Sequence, residues 1–183
     1  MSLLRFCEWL ASTPGSIALH ECQYFFLGIL TIHVLTLCLL VGTTAMLDLR
    51  LLGLTLQRAP ASEVLSRLLP WAAIGFLIMI TSGALLFYAD PVHKYLNIFF
   101  RLKMATLALV VLNAWLFHRK VYGKVADWDL DPIPPRAARV AGGVSLVLWG
   151  VMITLGRVIP YQTYWFECGK GSHSGIVNLL VGC

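Results

Sequence analysis

His33 is the side chain with the most chemistry within its reach. It stands in the middle of an uncharged run from Gln23 to Leu47, longer than the ~20 apolar residues an α-helix needs to cross a bilayer. An ionisable group at that depth is costly and marks a functional site by default. At a rise of ~1.5 Å per residue, Thr81 (with Ser82 beside it), Thr106 and Thr154 reach about the same height on three other apolar stretches. Met79, Met104 and Met152 lie within a turn or so. Three chemistries suit such a layer. His33 is an axial ligand of a haem b, with a methionine or another histidine opposite. Or it binds copper(I) with Met79, Met104 or Met152, since that ion prefers soft thioether and imidazole ligands. Or the ring stays neutral and hydrogen-bonds Thr81, Thr106 or Thr154, locking the helices together.

The remaining polar residues narrow the choice. His118 falls near the opposite membrane face, roughly 15 Å or more from His33 along the bundle, so the two cannot ligate one haem. His20 lies about 19 Å before His33 on an uninterrupted helix, but the second and fourth apolar stretches hold no histidine to pair with it. His93 and His173 are solvated outside the membrane. Asn113 shares nearly one helix face with Thr106 and reads as an interhelical hydrogen-bond partner. Arg157, where the last apolar stretch ends, suits a haem propionate or a lipid phosphate through its planar fork. Asp48 and Arg50 read as partners of headgroups or neighbouring loops. No phosphate-cradling glycine loop, paired-cysteine metal motif, Cys-x-x-Cys-His or His-Glu-x-x-His is present, so soluble-enzyme signatures are missing.

The elements that must position these residues are membrane helices. Of 183 residues, 58% are hydrophobic and only 13% charged, against about 25% charged in soluble domains; mean hydropathy is +0.78. We expect an all-α, integral membrane four-helix bundle, a single domain over residues 1–183, with helices at about 22–47, 68–89, 98–120 and 138–160. The third accepts Arg101 and Lys103 near its end because long cationic side chains snorkel to the headgroups. Leu3, Leu4, Phe6, Trp9 and Leu10 suggest a short N-terminal interfacial helix, ended by Pro14-Gly15, rather than a signal peptide. The first helix continues past Asp48 towards Arg58 until Pro60 breaks it, and Ser62-Glu63 reads as the cap of the second. Glycines 28, 42, 75, 83, 142, 143 and 150 read as helix-packing positions. Residues 161–183 form an exterior tail with aromatic anchors.

The net charge of +5 is spent on topology and lipid rather than nucleic acid. Eight Lys and Arg lie in the two connections on one side and six on the other, which by the positive-inside rule puts both termini outside. Cys7, Cys22, Cys168 and Cys183 all fall on that exterior side, as disulfides in an oxidising compartment would. Three pairings are open.

The run His33-Val-Leu, Gly42-Thr and Asp48-Leu-Arg50-Leu-Leu-Gly53 resembles an uncharacterised family of small bacterial four-helix membrane proteins. So do Phe100-Arg-Leu-Lys103, Asn113, Phe117-His118 and Gly156-Arg157 with Tyr161. The resemblance covers about residues 16–168, and the positions that match its motif include His33, Asp48, Arg50, Lys103, Asn113, His118 and Arg157. It is more distantly similar to copper-resistance D-type proteins and haem-binding cytochrome b-type bundles, a fold-level analogy. The expectation is therefore a multi-pass protein of the bacterial inner membrane. Its role is that of a haem b-binding electron-transfer or quinone-interacting subunit, within the lipid bilayer or a larger membrane complex. The alternative is a copper-handling or purely structural subunit.

Overall fold

Each long apolar run becomes a helix of spanning length in the computed structural model, which describes residues 3–131 and 133–162. The spans are α3 (Gln23–Leu51), α4 (Ala61–Ala89), α6 (Ile98–Lys120) and α7 (Arg136–Val158). Two short helices, α1 (Leu3–Ala11) and α2 (Pro14–Glu21), precede them, and α5 (Pro91–Leu96) joins α4 to α6. A 3-10 segment at Tyr122–Trp128 follows α6, and another at Ile159–Tyr161 extends α7. No strand occurs among the described residues. In the most apolar window of each span only between 6% and 22% of residues are buried within the protein. The rest turn apolar side chains outward, an arrangement suited to lipid and not to water. The fold is an all-α, multi-pass membrane bundle.

The helices do not close into a symmetric four. α3 packs most extensively on α4, α6 on α7, and α3 on α7, whereas α4 and α6 pack little beyond the stack of Phe87 on Phe100 at 5.7 Å near the terminal end. Glycine sets two of these approaches. A Cβ at Gly142 would meet the Asp48 carbonyl at 2.9 Å and Leu51 Cβ at 3.1 Å, and one at Gly75 would meet Leu40 Cβ at 3.3 Å. By contrast Gly28, Gly42 and Gly150 have nothing within 4 Å, so they are not packing positions within this chain. The order around the bundle is α4, α3, α7, α6, with an unsealed side between the first and the last.

Two ends can be distinguished. The terminal end carries α1, α2, α5 and the close of α7. There Ser16 donates to the Tyr88 carbonyl at 2.7 Å and Thr13 shares a 2.8 Å hydrogen bond with the Tyr88 hydroxyl. α1 buries Cys7 and leaves Leu3, Phe6 and Trp9 at least half exposed, the face an interfacial helix would lay in lipid. α1 ends at Ala11, ahead of Pro14-Gly15, which starts a second short helix, α2, and Cys22 separates α2 from α3. His20 is therefore not on the His33 helix.

The loop end differs from expectation in its caps. α3 stops at Leu51 rather than reaching Arg58, because the chain turns through left-handed backbone at Gly53 (φ 74°) and Leu56 (φ 54°). α4 begins at Ala61 and carries Pro70 inside it, where the ring gives up one helical hydrogen bond. Its cap comes from another loop: Asp129 accepts from the Ser62 amide at 2.7 Å and the Ser62 hydroxyl at 2.9 Å. That amide, with the hydroxyl and the Arg50 guanidinium adding to it, holds the Asp129 carboxyl below the usual carboxylate range. Arg50 is 1% exposed and donates to the Ala59 and Asp129 carbonyls at 3.2–3.4 Å. It ties loops together, as a loop partner rather than a headgroup one. Val121, Val125 and Trp128 then bury against Leu47, Leu51, Val64 and Leu65, so the loop following α6 closes this end of the molecule.

Candidate functional site

Two polar layers lie inside the bundle, separated by an apolar one. The terminal-end layer holds His33. Its ring points at α4, with Nδ1 2.8 Å from the Ser82 hydroxyl and Cε1 packed over Gly83. The Ser82 hydroxyl sits 2.7 Å from the Ile78 carbonyl, which can only accept, so the hydroxyl proton is committed there. His33 Nδ1–H is then the donor to Ser82, and Nε2 carries a bare lone pair. The neighbour on α6 is Lys103, whose charge is near enough to act on the ring.

The other members of the expected layer do not gather around that nitrogen. Thr81, Thr106 and Thr154 each return their hydroxyl to their own helix, to the Leu77, Leu102 and Gly150 carbonyls at 2.9 Å. Ser82, beside Thr81, makes the interhelical bond instead. Met104 is 48% exposed on the outer surface. Met152 is buried one layer further in, among Leu40, Ala72, Val110 and Trp149, with Met79 packed against that cluster. Arg157 lies over the Tyr161 ring at 5.6 Å. Among the described residues no three His, Cys, Asp or Glu side chains converge as metal ligands would. Met104 thus faces away from the bundle interior, while Met79 and Met152 belong to the apolar layer next to His33. Cys7 and Cys22 are not joined to each other; Cys168, Cys183, His173 and the tail aromatics Tyr164, Trp165 and Phe166 lie outside the described residues.

The open volume is elsewhere. A cavity of about 410 Å³ occupies the loop-end half, where α4 and α6 fail to meet, a size within the range of small-molecule sites. Its walls are Leu65, Leu69, Ala72 and Phe76 of α4 and Val110, Ala114, Trp115 and Phe117 of α6. α3 and α7 form the back with Leu40, Leu47, Asp48, Ala141, Ser145 and Trp149, and His118 and Tyr122 stack at 4.8 Å at the floor. Asn113 also lines it and donates across to α7, to the Ala141 carbonyl at 3.0 Å.

Asp48 is the exception in this lining. It is 6% exposed, faces Ser145 on α7, and its Oδ2 has no hydrogen-bond partner. Arg50, two residues on, is occupied with the loop carbonyls and does not neutralise it. A buried carboxyl oxygen without a partner carries a desolvation cost of about 1–3 kcal/mol. The sequence offered one signal for this site: Asp48 is 15 residues after His33, which at 100° per residue returns it within about 60° of the same helix face. A charge at the end of an apolar run otherwise reads as a headgroup contact, which is why it is passed over.

The chain belongs to the family of unknown function DUF6644, which matches residues 7–162. No curated protein and no solved structure matches it.

Proposed function

We propose that this membrane protein is a binding subunit for a lipid-soluble, quinone-type molecule, held in the loop-end cavity with its head group against Asp48. One observation carries the reading: a pocket of about 410 Å³ with a mostly apolar and aromatic lining contains one carboxyl oxygen, Asp48 Oδ2, with nothing to bond. A flat ring suits the space between Phe76, Trp115 and Trp149. A ring hydroxyl would donate to the Asp48 carboxylate, or a ring carbonyl would accept from the protonated acid. The isoprenoid tail would leave through the unsealed side between α4 and α6 into lipid. Asp48 orients the head group and exchanges a proton with it; the electrons belong to the ligand and to a redox partner in a larger complex. In this reading the protein sits in the bacterial inner membrane with its terminal end in the periplasm, as its Lys and Arg distribution favours.

The second reading, haem b or copper on His33, rests on the bare Nε2 lone pair. Both are separable by experiment. In nanodiscs, a short-chain quinone should quench the fluorescence of Trp115 and Trp149 saturably, and Asp48→Leu should weaken that binding about tenfold or more. A Soret band that disappears in His33→Ala would favour haem, and stoichiometric copper in a colourless preparation would favour copper. Quenching that is linear, non-saturable and unchanged in Asp48→Leu would leave a structural subunit.

A further inference from the structure

We propose that the terminal end of the α6–α7 cleft binds the phosphate of an anionic phospholipid, with the Lys103 ammonium as its primary contact. The inference is independent of the quinone reading, since it concerns the opposite end of the bundle.

Lys103 does not extend straight out to solvent. Its side chain lies over α7 at Gly156, where a Cβ would come within 3.4 Å of Nζ and 3.8 Å of Cε. A Cβ there would already be in van der Waals contact with the ammonium, so the lysine tip is seated against α7. Lys103 is half-buried and has neither a hydrogen bond nor an ion pair among the described residues. The groups that act on it are of the wrong sign or neutral: Lys94 is a second cation and His33 an imidazole. The Asp90 carboxylate, between α4 and α5, sits 3.4 Å from His93 and does not act on Lys103. A desolvated ammonium without an anion is unfavourable, so the cleft is built to receive negative charge.

The depth and the neighbours specify which anion. Gly156 is two residues from the end of α7, and Tyr95 of α5 and Tyr161 of the 3-10 segment after α7 belong to the elements that close this end; tyrosines gather at the headgroup boundary. Arg157 follows Gly156 directly, is exposed, and lies 5.6 Å over the Tyr161 ring. A guanidinium fork beside a point-charge ammonium is a phosphate-binding pair. At this height a phosphate is supplied by the lipid leaflet itself.

The test compares thermal unfolding of the full chain in phosphatidylcholine nanodiscs, in nanodiscs containing phosphatidylglycerol, and in phosphatidylcholine nanodiscs with inorganic phosphate. Phosphatidylglycerol should raise the Tm of the wild type and leave Lys103→Gln unmoved, while Lys103→Arg keeps the shift. Native mass spectrometry of wild type should retain phosphatidylglycerol, and Arg157→Gln should retain less; this pair serves if Lys103→Gln does not fold. An equal shift in wild type and Lys103→Gln, or no retained lipid, overturns the proposal. A shift reproduced by inorganic phosphate alone overturns the lipid as the source.

Discussion

Replacing Asp48 by leucine should make the ligand-free protein more stable while weakening the quinone binding proposed for it. The carboxyl is 6% exposed and its Oδ2 is unpartnered, which costs about 1–3 kcal/mol relative to a satisfied or apolar group. Leucine is of similar size and faces an apolar cavity wall, and Ser145 can turn its hydroxyl to a carbonyl of its own helix. For a chain of this length each kcal/mol moves Tm by roughly 2–4 °C, so the expected rise is about 2–12 °C. The assay is thermal unfolding of wild type and Asp48→Leu in the same nanodisc without added quinone, followed by the quenching titration on both. Stability stored in reverse at a binding site is the usual sign that function selects the residue. A fall in Tm would refute the reasoning, because it would mean that the bond between the carboxyl and Ser145 holds the helices together by more than the unpartnered Oδ2 costs.

Other outcomes follow from the packing and the loops. Gly142→Ala should lose about 1–3 kcal/mol, because the new Cβ would sit 2.9 Å from the Asp48 carbonyl, whereas Gly150→Ala, with open space around it, should be neutral or stabilising by up to about 1 kcal/mol; parallel thermal unfolding decides both. Arg50→Met removes the donor to the Ala59 and Asp129 carbonyls and should cost at least about 1.5–3 kcal/mol, with faster limited proteolysis between residues 119 and 135. Asp129 has a folded pKa below its unfolded one, so its stabilisation is present above the ordinary carboxylate value of about 4 and is lost as pH falls through the folded value. A Tm-against-pH series should show wild type converging on Asp129→Asn at the acid end. Burial, with Glu8 beside it, pushes the Cys7 thiol up, so maleimide should label Cys22 well before Cys7.

What could be read from the sequence divides along physical lines. Four spans, their order and their approximate ends follow from apolar length, since a bilayer admits few alternatives. The height of His33 also follows, because rise per residue is fixed. Rotation about each helix axis does not. Thr81 and Ser82 are one residue and 100° apart, and that angle alone decides that Ser82 meets His33 while Thr81 bonds back to Leu77. The same ambiguity places Met104 on the outer surface and Met152 in the apolar layer. Caps supplied from distant chain segments are equally unreadable: Ser62 looks like a cap, but Asp129, 67 residues away, does the capping. The cavity exists because α4 and α6, which meet at Phe87 and Phe100 near the terminal end, diverge in the loop-end half, a property of helix arrangement that no local pattern encodes.

The most direct measurement is photo-crosslinking with a quinone that carries a photoreactive group on its ring, followed by peptide mapping of the full chain in nanodiscs. Adducts should concentrate on residues 65–76 of α4 and 110–118 of α6, compete with unlabelled quinone, and decline in Asp48→Leu. Adducts centred on His33 and Lys103, or spread evenly over the lipid-facing surfaces without competition, would contradict a quinone site at Asp48.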